Sequence, residues 1–164
     1  SDLRVIGGVN GSDAKKSSLA VVLKQSLVRV EADIGFRSVK LRVEESPESM
    51  EVVGPAVLLS MGLSAFIQHG FIRTVPGDDI VLSGIVSKEP GFVVLEIRRD
   101  SGKCFEKDFR EYISAKDIVL GLLGGEGAHW EDESNEMNDI EAIRLHLAAT
   151  ESAWLKAQDA EYRK

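Results

Sequence analysis

Apolar and polar positions along the chain change period several times, and each change marks an element. Leu19, Val22, Leu23, Leu27, Val30 and Ile34 recur at helical spacing. They predict a helix capped by Ser17 or Ser18, running to about Ile34 and stopped by Gly35. From Ser38 to Glu44 the period drops to two, as in a half-buried strand. Ser46-Pro47-Glu48-Ser49 reads as a loop, and Glu51-Val52-Val53-Gly54 as a short strand or turn. A second helix starts at Pro55, runs through Val57, Leu58, Leu59, Met61, Leu63, Phe66 and Ile67 to about His69, and stops at Gly70. It is apolar on most sides, which predicts a sandwiched helix.

Asp79 to Ser87 and Phe92 to Arg98 read as two strands joined by a turn at Lys88-Glu89-Pro90-Gly91. Phe105 to Ile113 and Lys116 to Leu123 then suggest two short helices. Residues 124–138 hold Gly124-Gly125-Glu126-Gly127 and the acidic run Glu131-Asp132-Glu133, and predict a mobile loop. From Met137 or Asn138, Ile140, Ile143, Leu145, Leu147 and Ala148 predict a further helix, which either continues through Trp154 and Leu155 or breaks before a last strand. Helices mixed with a hairpin-containing sheet imply an α/β two-layer sandwich, a mixed sheet packed on about three helices. Residues 1–16 are expected to be a linker or the end of a preceding helix, and 17–164 a single domain.

Composition narrows the function. The 164 residues carry a net charge of -7, which argues against a nucleic-acid-binding face. The single cysteine, Cys104, excludes a disulfide framework and fits a reducing compartment. It is expected to be a buried or turn thiol. No apolar run approaches the ~20 residues that span a bilayer, so no direct membrane contact is expected and a cytoplasmic location is. His129, beside Glu131 and Asp132, reads as a solvated loop residue, with a weak metal site the sharper alternative. His146 reads as a structural helix histidine without metal partners at i±3 or i±4. Trp130, a large aromatic in a polar segment, is expected to dock on the domain or on a partner.

Between Leu19 and Gly102 the order and lengths of the segments resemble the catalytic, ATP-binding domain of sensor histidine kinases. SMEVVGPAVLLSMGLSAFIQHGF stands where that family has its asparagine helix, and IVLSGIVSKEPGFVVLEIRRDSGKC where it has a hairpin ending in D-x-G-x-G. The resemblance implies the Bergerat-type ATPase fold. It also implies a site position by position. Ala65 falls where an asparagine helps hold Mg²⁺, and Ser64 at the acidic position before it. Gln68 falls at a position that often carries a cationic phosphate contact, with His69 at the adjacent polar or aromatic position. Asp100 and Gly102 match the adenine-recognition turn, while Cys104 replaces its second glycine. The phosphate-binding glycines implied at the start of the last helix are missing before Asn138-Asp139-Ile140; Gly121, Gly124, Gly125 and Gly127 lie upstream instead. The histidine that such kinases phosphorylate lies in an upstream dimerisation helix outside these elements.

The expectation is therefore a degenerate domain with no cofactor and no catalytic or metal-binding residues. Asp100, Gly102, His69 and Gln68 would form its residual nucleotide site. It would contact a response-regulator receiver domain or another signalling protein, with Trp130 in the contact. Any dimer would form through the upstream helical region. One alternative is a divergent domain that still binds ATP with Mg²⁺. The other is an unrelated α/β binding module.

Overall fold

The computed structural model describes residues 16–37, 40–44, 50–69, 79–99, 109–134 and 139–163. These form β1 (Lys16–Ser18), α1 (Leu19–Arg37), β2 (Lys40–Glu44), β3 (Glu51–Val53), α2 (Ala56–His69), β4 (Asp79–Val86), β5 (Phe92–Arg99), α3 (Phe109–Leu123), β6 (His129–Ser134), β7 (Ile140–Ala148) and α4 (Glu151–Arg163). Ser18 caps α1, its Oγ accepting from the Val21 amide at 3.4 Å. The helix passes through Gly35 to Arg37.

Five strands make one mixed sheet in the order β2-β4-β5-β7-β6. The β2–β4 pair is parallel and the other pairs are antiparallel. β1 and β3 form a separate antiparallel pair. One face of the large sheet is apolar. Val93, Leu95 and Ile97 of β5 and Ile143, Leu145 and Leu147 of β7 meet Leu19 and Val22 of α1, Leu59, Leu63 and Phe66 of α2, and Val119 and Leu123 of α3. Each such buried side chain contributes about 1.5–3 kcal/mol. The expected two-layer sandwich is the architecture found. α4 packs at the sheet's end, where Ala153, Trp154 and Ala157 meet Val53, Phe92 and Ala148. Thr150 starts it, its Oγ1 accepting from the Ala153 amide at 3.1 Å.

Besides the stop expected at Gly35, three expectations change. Residues 140–148 are a strand, not a helix. Ile143, Leu145 and Leu147 alternate with Arg144 and His146, so a strand sends the apolar side chains to the core and the polar ones to the other face. Within the predicted mobile loop, the described residues instead form a 3-10 turn at Gly124–Glu126 followed by β6, paired along β7 from His129 to Ser134. As the sheet's edge, β6 can be almost wholly polar, and its acidic run Glu131-Asp132-Glu133 blunts its open hydrogen-bonding side. The two short helices expected after Gly102 are, among the described residues, one continuous helix, α3. Of the expected linker 1–16 only Lys16 is described, as the start of β1; the loop at 46–49, Asp100, Gly102 and Cys104 lie outside the described residues.

Candidate functional site

The candidate site is the outward face of α2, and close packing on both flanks decides what that face shows. On the α1 side, Ser26 Oγ lies 2.8 Å from the Val22 carbonyl and 3.1 Å from the Ser60 carbonyl. Ser64 Oγ lies 2.7 Å from the Ser60 carbonyl and 3.4 Å from the Ser26 carbonyl. These small hydroxyls let two helices approach while satisfying their own polarity. On the α3 side, Gly62 faces Leu123 so closely that a β-carbon would sit 2.3 Å from Leu123 Cγ. Leu59, Leu63, Phe66 and Ile67 point into the core. The stripe left over is Val57, Met61 and Gln68, all exposed, with half-buried Ala65 between them.

Of the residues assigned from sequence, the side chains of Ser64, Ala65, Gln68 and Trp130 are described. Ala65 stands on the outward stripe and offers a methyl group, with no donor for a metal. Ser64 is buried, and its hydroxyl is turned to the α1 interface rather than outward. Gln68 is exposed. His69 ends α2, and its side chain lies outside the described residues, as do Asp100 and Gly102 beyond the end of β5. Trp130 is half-buried, with its ring edge-on to Phe66 at 5.6 Å and 87°. It docks on the domain's own core.

The upstream glycines have structural positions. Gly121 is within α3, and Gly124 and Gly125 make the turn after it. Gly127 adopts φ +85°, and a β-carbon there would meet Ala157 Cβ of α4 at 2.8 Å. The Gln158 amide also donates to the Gly125 carbonyl. This turn is fastened to α4. Asp139 and Ile140 lead into a strand, so no phosphate-binding helix starts there.

No sequence-family model matches the chain. No curated protein sequence matches it either. Solved structures do. A nucleotide-free catalytic domain of histidine kinase ThkA superposes with a TM-score of 0.63 at 12% identity, over 85% of this chain and 98% of that one. The mycobacterial sensor histidine kinase MprB gives 0.62 at 17% identity, over 84% and 98%. ThkA in complex with the response regulator protein TrrA gives 0.63 at 14% identity, over 85% of this chain and 42% of that one. The fold is that of histidine kinase catalytic domains. An unrelated α/β module is no longer needed to explain the segment order.

Within this histidine-kinase fold, the helix that follows the β4–β5 hairpin is α3, not the segment after Asn138. The stretch leading into it, residues 100–108, contains a single glycine, Gly102. Ala65, matched from sequence to the metal-holding asparagine, has no oxygen to offer a magnesium ion.

The opposite face of the sheet carries polar residues that sequence reasoning did not single out. Glu96 Oε1 accepts from Arg98 Nε at 2.6 Å, and Oε2 from Arg144 Nε at 2.8 Å. Arg144 Nη2 also reaches Glu133 Oε1 at 2.6 Å. Burial alone would raise the Glu96 carboxyl, but the hydrogen bonds and charges of Arg98 and Arg144 outweigh it and hold it below the ordinary carboxylate value. The signal that could have found this cluster is the alternation in IRLHL and VLEIR, which puts Arg144, His146, Glu96 and Arg98 on one face.

Proposed function

We propose that this chain is a degenerate histidine-kinase-type domain that serves bacterial two-component signalling through protein–protein contacts and has lost the phosphoryl chemistry. The observation that carries the proposal is the outward stripe of α2. At the position matched to the metal-holding asparagine stands Ala65, between exposed Met61 and exposed Gln68. Phosphoryl transfer is catalysed mainly by positioning and by neutralising charge with metal and cations. The Ala65 methyl ligates no metal, and the neutral Gln68 amide adds no positive charge. The sequence of 100–108, with Gly102 its only glycine, supports the same conclusion, because a phosphate loop needs several close backbone approaches.

The partner is a receiver domain of a response regulator, or another signalling protein. The likeness in fold to a kinase solved with its response regulator supports this class. Val57 and Met61, 66% and 41% exposed, supply apolar contact area on the stripe. Asp100-Ser101-Gly102 at the end of the hairpin favours the second reading, a divergent domain that keeps nucleotide. Titration with ATP and ADP, with and without Mg²⁺, separates the two. The degenerate domain shows no saturable binding at millimolar nucleotide, and the divergent one binds in a Mg²⁺-dependent way.

A further inference from the structure

The polar face of the sheet holds a second constellation, on the side away from α2. Pairing of β6 with β7 sets His129 directly across from His146. Their rings stack with centroids 4.4 Å apart and planes 13° from parallel. The β4–β5 turn brings in Glu89, whose Oε1 is 4.0 Å from His129 Nε2. One donor atom from each of Glu89, His129 and His146 lies within 4.8 Å of the other two. Glu89, Glu131 and His146 line a cleft of about 440 Å³ at this point.

His146 is the fixed member. Its side chain is 14% exposed, and Nε2 lies 2.7 Å from Glu131 Oε1. An ionised carboxylate only accepts, so Nε2 is the donor, and a neutral ring then carries its lone pair on Nδ1. That Nδ1 is buried and has no hydrogen-bond partner. Leaving a buried polar atom unsatisfied costs about 1–3 kcal/mol. A carboxylate behind an imidazole whose other nitrogen is free is the arrangement that orients metal-ligating histidines and raises their basicity.

We propose that Glu89, His129 and His146 form a binding site for a divalent transition metal of the Zn²⁺ class, with Glu131 orienting His146. Two imidazoles and one carboxylate are a donor set suited to zinc and leave a fourth position for water. Tetrahedral zinc with bonds of about 2.0–2.1 Å holds its ligands about 3.3 Å apart, so the cluster closes by roughly an ångström or more on binding. Stacked rings cannot both aim a lone pair at one ion, so one ring turns. His129 and Glu89, 49% and 41% exposed, are the side chains free to move toward the fixed His146. Arg144, at the cleft's side, is held by Glu96 and Glu133 and does not compete for Glu89. The site is independent of α2 and of the function proposed above.

The test is calorimetric titration of the whole chain, freed of any affinity tag, with Zn²⁺, alongside the visible spectrum of a Co²⁺ titration. One equivalent of Zn²⁺ should bind saturably at micromolar concentration, and Co²⁺ should give the intense bands of a tetrahedral site. His129→Ala and Glu89→Gln change half-exposed side chains and so leave the fold intact by circular dichroism. Each should weaken binding at least tenfold, whereas Asp117→Asn on α3 should not. Glu131→Gln should weaken it about 10–100-fold. No saturable binding, or an affinity unchanged by both His129→Ala and Glu89→Gln, would overturn the proposal.

Discussion

Replacing Gly62 by alanine puts two effects of opposite sign in competition. In a helix interior, alanine is favoured over glycine by about 1 kcal/mol. Against that, the new β-carbon would lie 2.3 Å from Leu123 Cγ and 2.5 Å from both of its methyls. Carbon atoms in contact sit about 3.5–4.0 Å apart, so more than an ångström of movement is required. Leu123 is fully buried, and the clash falls on its branch point, so no rotation of its methyls clears it. α3 itself has to shift. Overpacking of this kind costs about 1–3 kcal/mol, and a clash this deep belongs at the upper end. The net expectation is a loss of about 1–2 kcal/mol. For a domain of this size the melting temperature should fall by about 2–8 °C. Urea unfolding and thermal circular dichroism read it out. The double variant Gly62→Ala/Leu123→Ala should show a favourable coupling energy of about 1–3 kcal/mol, since removing the isobutyl group relieves the clash. A Gly62→Ala protein as stable as the parent, or more so, would show that α2 and α3 are not packed this closely.

Glu96→Gln keeps the side-chain shape and removes the charge shared by Arg98 and Arg144. Hydrogen bonds to charged groups contribute about 1.5–3 kcal/mol, so a loss of about 2 kcal/mol is expected at pH 7. Because the folded carboxyl sits below its ordinary value, its contribution is present above about pH 4.3 and is lost as pH falls through the folded value. The gap between parent and variant should therefore close on acidification; a gap that widens would contradict this. For the partner surface, Met61→Asp and Val57→Asp should weaken a receiver-domain complex about tenfold or more in a binding titration, with stability unchanged. Full affinity in both variants would place the contact elsewhere. Trp130→Ala is a poorer probe because its ring packs on Phe66, and deleting 124–135 would remove β6.

How much was legible follows from where periodicity is unambiguous. α2 was plain, because apolar residues crowd almost all of its faces, Val57 and Met61 on the outward stripe included. The β4–β5 hairpin was plain, because a Pro-Gly turn separates two β-branched runs. β7 was misread because Ile140, Ile143 and Leu147 also satisfy helical spacing; the interleaved Arg144 and His146 carried the truer period. β6 was hidden because an edge strand with one inward residue, Trp130, has almost no apolar signature. The matched positions Ala65 and Gln68 could be found on α2, but the commitment of Ser64 to α1 could not, because it depends on helix packing. The stacking of His129 on His146 was also invisible, since it exists only once β6 and β7 pair in this register.

Whether this fold still handles nucleotide is decided by one titration. Calorimetry and thermal shift with ATP and ADP, each with and without Mg²⁺, should show no saturable heat and no change in melting temperature at millimolar ligand. Ligand at 100 times its Kd stabilises a fold by about 2.7 kcal/mol. A Mg²⁺-dependent stabilisation of that size, abolished by Asp100→Ala, would contradict the loss of phosphoryl chemistry and establish a working adenine turn.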